Sequence, residues 1–131
     1  MNKNILITAA IFGLLSVVLG AFGAHGLKSL ISLESLQSFE TGVRYQMYHA
    51  LLLLFTGMTS YVSLKHKNII FYLILIGILL FSGSIYGLAT NELTGFDFKT
   101  IAFVTPMGGL LLILSWIILL ISFIKHKFEK E

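Results

Sequence analysis

The sequence contains no cysteine and only one proline in 131 residues. Without cysteine, the chain can form no disulfide and can offer no thiolate to a metal ion. Charged residues are scarce at 11%, against roughly 25% in an ordinary soluble domain. The formal net charge is only +3, and the basic residues form no dense stripe. The composition therefore argues against a water-solvated surface and against a nucleic-acid interface.

The motifs of common catalytic and cofactor sites are missing as well. The sequence has no HExxH pair, no phosphate-binding glycine loop and no visible Ser-His-acid arrangement. The glycine-rich run at residues 20–25 resembles a GxGxxG fingerprint only in composition, because it ends an apolar stretch and follows no strand. We therefore expect no catalytic residues, no metal site, no cofactor and no enzymatic activity.

Long apolar stretches are abundant. Hydrophobic residues make up 56% of the chain and the mean hydropathy is +0.92. A membrane-spanning helix needs about 20 mostly apolar residues, and four stretches without any charged residue qualify: 5–24, 45–64, 69–89 and 106–124. The first is longer than the apolar core of a signal peptide, so we expect it to be retained. These stretches predict an all-α fold, an integral membrane antiparallel four-helix bundle formed by one domain over residues 1–131.

The distribution of basic residues predicts the orientation of this bundle. Four spans place the chain ends and the turn at residues 65–67 on one side, and most of the basic residues lie there. Since lysine and arginine are enriched in cytoplasmic loops, we expect both termini in the cytoplasm and the protein in the cell (plasma or inner) membrane. Leucine and phenylalanine recur every three residues between the first two spans, which predicts a short interfacial helix there: Leu30, Leu33, Leu36 and Phe39.

Small residues share one face of the first predicted span. Such faces let two helix backbones approach closely inside a bilayer, where close packing drives association. On the third span, Gly83 and Gly87 have the small-xxx-small spacing expected of a partner. We therefore predict helix packing between these two faces, with the first formed by Gly13, Ser16, Gly20, Gly23 and Ala24.

Most of the remaining polar chemistry is concentrated around residues 39–50, where the second span begins. In a helix, Glu40 and Arg44 have the spacing and order of a favourable ion pair. His49 lies about 7 Å deeper than Arg44, at 1.5 Å rise per residue. His25 ends the first span near the same boundary, so we expect the two imidazoles to meet. The predicted polar cluster consists of His25, Glu40, Arg44, Tyr45, Tyr48, His49 and Tyr86.

Two interpretations of this cluster remain open. In the first, the charged pair and the tyrosines anchor the helix at the membrane interface, and each histidine only satisfies a neighbouring backbone group. In the second, His25 and His49 form a binding site, because a polar side chain at depth usually faces the bundle interior or a cavity.

Four motifs point to a known family. Residues 20–27 (GAFGAHGL) and 40–50 (ETGVRYQMYHA) resemble the two main signatures of the YgdD/YwdK-like small membrane proteins, catalogued as domain of unknown function 423 and related to the eukaryotic transmembrane protein 256. Residues 81–88 (FSGSIYGL) and 105–109 (TPMGG) are similar to its later signatures. The resemblance covers nearly the whole chain. It implies a four-span inner- or plasma-membrane protein, and it implies no particular activity, cofactor or catalytic residue.

Two functions fit these observations. The first is a non-enzymatic interaction or accessory protein, which would use the bilayer as its surroundings and form a homo-oligomer or join a larger membrane complex through its small-residue faces. The second is the binding or transport of a small amphiphile, such as a lipid, a quinone or a haem-like ligand, at the polar cluster near the outer leaflet. Ion passage is less favoured, since no Asp or Glu lies in a predicted span.

Overall fold

The computed structural model describes residues 2–95 and 97–127, and within them the fold is all-helical. Four long α-helices follow one another along the chain: α1 (Asn2–Phe22), α2 (Leu33–Met58), α3 (Leu64–Ala89) and α4 (Val104–Lys125). One turn of π-helix, Gly23–Leu27, continues α1. Two 3₁₀ turns, Asn91–Leu93 and Phe98–Ile101, lie in the connection from α3 to α4.

Three of these helical segments are long and apolar enough to cross a membrane: α1 with its π turn, α3 and α4. The exception is α2, which the sequence pattern predicted as a fourth span at residues 45–64. This helix has 26 residues and ample length, but it begins much earlier and its first half includes Glu34, Glu40 and Arg44. It also ends at Met58 rather than near residue 64, because residues 59–63 form the turn into α3.

All four helices begin earlier than the predicted stretches, as α2 and α4 illustrate. Ser32 caps α2, its hydroxyl accepting a hydrogen bond from the Ser35 amide at 3.1 Å. The helix therefore begins at Leu33 and runs on unbroken, so the predicted interfacial helix is not a separate element. In α4, the first helical residue is Val104 rather than Pro106. Proline fits there because amides in the first turn of a helix have no intrahelical partner.

The helices pack in chain order. α1 packs against α2, α2 against α3, and α3 against α4. Side chains from all four helices form one core, with Ile5, Leu53, Ile70 and Leu119 among the buried residues. Two hydrogen bonds show which chain segments share one end of the bundle. Asn2 contacts Lys67 at the start of α3, and Ser122 near the end of α4 contacts His66, so residue 2 and the end of α4 lie at the same end.

The small-residue face of α1 contacts α2, not α3. A Cβ atom at Gly20 would lie 3.5 Å from Val43, and one at Gly23 would lie 3.1 Å from Phe39. Ser16 is buried in the same region, whereas Ala24 is exposed. The predicted partners on α3 are not used: a Cβ at Gly83 would meet nothing within 4 Å, and Gly87 packs against Phe98. Chain connectivity explains the difference, because α1 and α2 are joined by a short loop and become nearest neighbours.

Candidate functional site: a cavity between α2 and α4

A half-open cavity of about 340 Å³ lies between α2 and α4, with α3 behind it. α2 contributes three residues at four-residue spacing, which places their side chains on one face of the helix. α4 contributes a second apolar wall, and the ring of Phe81 on α3 closes the back. The lining residues are Thr41, Tyr45, His49, Phe81, Gly109, Leu112, Ile113 and Trp116.

His49 and Trp116 join α2 to α4 across the inner part of this cavity. The indole Nε1–H of Trp116 donates a hydrogen bond to His49 Nε2 at 3.1 Å. His49 Nδ1 lies 2.7 Å from the carbonyl oxygen of Tyr45, which can only accept. The imidazole must therefore be the neutral tautomer with its proton on Nδ1. Both ring nitrogens are occupied, and His49 is only 4% exposed.

Aromatic rings form the mouth of the cavity. The ring of Tyr45 lies 5.2 Å from the ring of Phe81 and 5.6 Å from that of Tyr48, centroid to centroid. Tyr45, Ile113 and Trp116 are each about half exposed, so the cavity opens sideways rather than towards an end of the bundle. In the part of the chain that the structure describes, the hydroxyl of Tyr45 makes no hydrogen bond. The hydroxyl oxygen of Tyr45 therefore remains free to bind a ligand, whereas the polar side-chain atoms of Thr41, His49 and Trp116 already have partners.

The structure does not assemble the predicted polar cluster as one group. His25 lies exposed in the π turn after α1, and among residues 2–95 and 97–127 no hydrogen bond or ring contact joins it to His49, whose partners are Tyr45 and Trp116. The expected meeting of the two imidazoles is therefore wrong, because His49 faces α4. Arg44 is exposed and donates to Thr41 Oγ1 at 3.0 Å. Over the same residues it forms no ion pair with Glu40, which is also exposed.

Tyr86 belongs to a second polar centre on the opposite side of α2. Its hydroxyl donates to Gln46 Oε1 at 2.7 Å, and Gln46 Nε2 donates to the carbonyl oxygen of Phe12 at 2.9 Å. Gln46 is 4% exposed, so one side chain connects α1, α2 and α3. Nearby, Ser82 donates to the carbonyl oxygen of Gly42 at 2.8 Å.

Sequence reasoning missed several residues of these centres, among them Gln46 and Trp116. Both carried a signal. An amide side chain inside an apolar helix needs internal partners, and a tryptophan more than a turn from the ends of a span is far from the interfacial belt where it is usually found. Trp116 is also the single tryptophan of the chain, which makes it a natural spectroscopic reporter for this cavity.

Comparison with known proteins identifies the family. Residues 19–109 match the family described as "Protein of unknown function (DUF423)". The chain belongs to the DUF423 family. The match includes the residues that line the cavity from Thr41 to Gly109, whereas Trp116 lies beyond it.

Curated DUF423 relatives are similar over nearly their whole length. The UPF0382 membrane protein YwdK of Bacillus subtilis is 39% identical over 95% of this chain and 98% of its own. The UPF0382 inner membrane protein YgdD of Escherichia coli is 38% identical over 96% and 93%. A UPF0382 membrane protein of Haemophilus influenzae is 36% identical over 97% and 98%. No solved structure matches the chain significantly. These relatives place this DUF423 chain in a family of membrane proteins.

Proposed function

We propose that this DUF423 protein is a non-enzymatic, multi-pass membrane protein that binds a small amphiphile between α2 and α4. The observation that carries the proposal is the cavity itself. Its volume of about 340 Å³ falls within the range of about 300–1,000 Å³ usual for small-molecule sites. Its walls are mostly aromatic and aliphatic, with few polar groups, which is the usual chemistry of a ligand pocket.

The lining indicates which part of the ligand binds where. Phe81, Ile113 and Trp116 offer apolar surface for a chain or a single ring. The free hydroxyl of Tyr45 at the mouth can donate to or accept from one polar group of the ligand. A haem-like ligand is not favoured, since axial ligation needs an unoccupied imidazole nitrogen and both nitrogens of His49 are bonded.

The position of the cavity along α4 supports entry from the lipid. Gly109 and Trp116 lie about 8 and 18 Å along the helix from Val104, at 1.5 Å per residue. We propose that α2 also crosses the membrane, with both chain ends in the cytoplasm as the basic residues indicate. The cavity then opens to the hydrocarbon of the outer leaflet, where an amphiphile can enter sideways.

Filling the cavity tests this proposal. Gly109 lines it, and a Cβ there would make only ordinary contacts with Phe81 at 3.6 Å. The variant Gly109→Leu should therefore fold and occupy the space of the ligand. The measurement is quenching of Trp116 fluorescence by an equimolar phospholipid with a dibrominated chain in detergent. We expect strong quenching in the unaltered protein and less than half as much in Gly109→Leu. The reason is that the added side chain should lower the affinity for the lipid about tenfold, which corresponds to about 1.4 kcal/mol.

The matched control is Gly83→Leu, which adds the same side chain at an exposed position of α3 outside this cavity. It should leave the quenching unchanged. Equal quenching in the unaltered protein and in Gly109→Leu would contradict the proposal, because Trp116 would then be reached only by bulk lipid.

We expect His49 to stabilise the fold through its two hydrogen bonds rather than to contact the ligand. His49→Leu leaves the Trp116 indole and the Tyr45 carbonyl without this partner, and should lower the free energy of unfolding by about 1 kcal/mol. His25→Leu makes the same change at an exposed site and should cost less than about 0.5 kcal/mol. Both are measured by denaturation in mixed micelles. A His49→Leu protein of unchanged stability that no longer binds the brominated lipid would instead assign the imidazole a direct role in binding.

A second candidate function is docking to another membrane helix, and Gly83 favours it. A cleft of about 200 Å³ between α1 and α3 is lined by Leu15, Leu19, Leu79 and Gly83, with Gln46 and Tyr86 at its inner side. Gly83 is exposed and leaves room for a close backbone approach. Purification in mild detergent should then yield a stoichiometric partner or a homo-oligomer that Gly83→Leu removes. A monomer in both forms would contradict this function.

A further inference from the structure

A second pocket lies at the end of the bundle where α2 turns into α3, opposite the connections from α1 to α2 and from α3 to α4. It has a volume of about 240 Å³ and is formed by the turn before α3, the first turn of α3 and the end of α4. We call it the basic pocket; its lining residues are Tyr61, Ser63, His66, Ser122, Lys125, His126 and Lys127. It shares no residue with the cavity between α2 and α4.

The charge of the basic pocket is of one sign. Of the residues that the structure describes, two lysines and two histidines line it, and no aspartate or glutamate does. The acidic residues that the structure describes lie in the first half of α2 and in the connection from α3 to α4, which are at the other end: Glu34, Glu40, Glu92 and Asp97. Among residues 2–95 and 97–127, neither lysine forms an ion pair, so the pocket has positive charge available for a ligand.

The wall of the pocket is held in place by hydrogen bonds. Ser122 is 4% exposed and donates to the carbonyl oxygen of Ile118 at 2.8 Å. Its hydroxyl proton is therefore used, so His66 Nδ1, at 2.7 Å from Ser122 Oγ, must be the donor of their bond. This arrangement fixes the imidazole between α3 and α4. Its Nε2, which has no proton in the neutral ring, has no partner in the described chain and can only accept a hydrogen bond.

We propose that the basic pocket binds the phosphate group of an anionic phospholipid. Lysine ammonium groups bind phosphate oxygens as point charges on flexible stems, and no rigid fork is needed. The pocket lies at the ends of two helices long and apolar enough to cross a membrane, α3 and α4, which is the depth of lipid head groups. Tyr61, half exposed at the rim, is the kind of residue found at that interface.

The test compares two lipids on the purified full-length protein by native mass spectrometry. Phosphatidylglycerol has a net negative charge, and phosphatidylcholine has the same phosphate but no net charge. We expect phosphatidylglycerol to bind about tenfold more tightly. The double variant Lys125→Gln/Lys127→Gln should lose that preference, because each lysine near an anionic group contributes roughly fivefold in affinity.

Lys65→Gln is the matched control, since Lys65 is exposed at the same end but does not line the pocket. It should keep the preference within about twofold, which separates a built site from general attraction to basic residues. Equal binding of the two lipids, or equal losses in Lys65→Gln and the double variant, would overturn the proposal. Melting curves of the unaltered protein and of both variants exclude unfolding as the cause.

A separate titration with inorganic phosphate distinguishes the source of the phosphate. Failure of millimolar phosphate to displace phosphatidylglycerol would support a lipid as the ligand. Displacement at that concentration, lost again in the double variant, would overturn the lipid assignment and show that the pocket takes a soluble phosphate compound.

Discussion

Replacing Gly108 by alanine is expected to separate α3 from α4 and to destabilise the fold more than any other single substitution considered. A Cβ at this position would lie 2.8 Å from the carbonyl oxygen of Gly77 and 2.8 Å from the carbonyl carbon of Leu80, and closer still to the amide nitrogen of Phe81. These are backbone atoms, so no rotamer change can relieve the overlap. We expect a loss of about 3 kcal/mol or more in unfolding free energy, the upper end of overpacking effects.

Its neighbour provides the control. Gly109→Ala adds the same methyl group one residue later, where the nearest atoms are on the Phe81 ring at 3.6 and 3.7 Å. This contact is ordinary, and relief from glycine in a helix interior should make the variant neutral or more stable by about 0.5–1 kcal/mol. Both are compared by thermal or detergent-induced unfolding followed by circular dichroism. A Gly108→Ala protein as stable as Gly109→Ala would show that the two helices do not pack this closely.

Replacing Gln46 by leucine is expected to produce the second largest loss, about 1–2 kcal/mol in unfolding free energy. The substitution keeps most of the volume but removes two hydrogen bonds, one to Phe12 of α1 and one from Tyr86 of α3. The tyrosine hydroxyl would then be left without this partner in an apolar environment, which costs more than the bond itself contributes.

Two further variants make the Gln46 result specific. Gln37→Leu changes the same residue type on the exposed side of α2 and should shift stability by less than about 0.5 kcal/mol. The double variant Gln46→Leu/Tyr86→Phe should recover part of the loss, because it removes both partners of the bond. A neutral Gln46→Leu variant, or a double variant with additive losses, would mean that the network does not join the three helices.

Part of the fold was predictable because it depends on local composition. Apolar runs of about 20 residues require a hydrocarbon environment whatever their neighbours are, and α1, α3 and α4 meet that condition. α2 was harder, since its N-terminal half combines an apolar face with charged residues and Ser32 starts the helix well before the apolar run. The prediction of a separate interfacial helix was wrong because the apolar residues at three-residue spacing, from Leu33 onward, are the first turns of α2 itself.

Of the candidate site, only the residues contributed by α2 could be predicted from the sequence. Tyr45 and His49 were identified from the polar stretch of α2, and both line the cavity. Their partners Phe81 and Trp116 lie far along the chain in apolar runs, and no sequence pattern indicates that either one contacts α2. His25, chosen because it ends the first span near the same boundary, does not take part.

The sequence by itself determined that the protein belongs in a membrane, that its fold is helical and that it is a DUF423 member, since all three depend on composition and local motifs. Only the tertiary structure decided that His49 pairs with Trp116, that Gln46 joins three helices and that Gly108 but not Gly109 meets a backbone. The reason is geometric. Helical periodicity gives the angle of a side chain about its own axis, and only the packing of all four helices determines which neighbour lies at that angle.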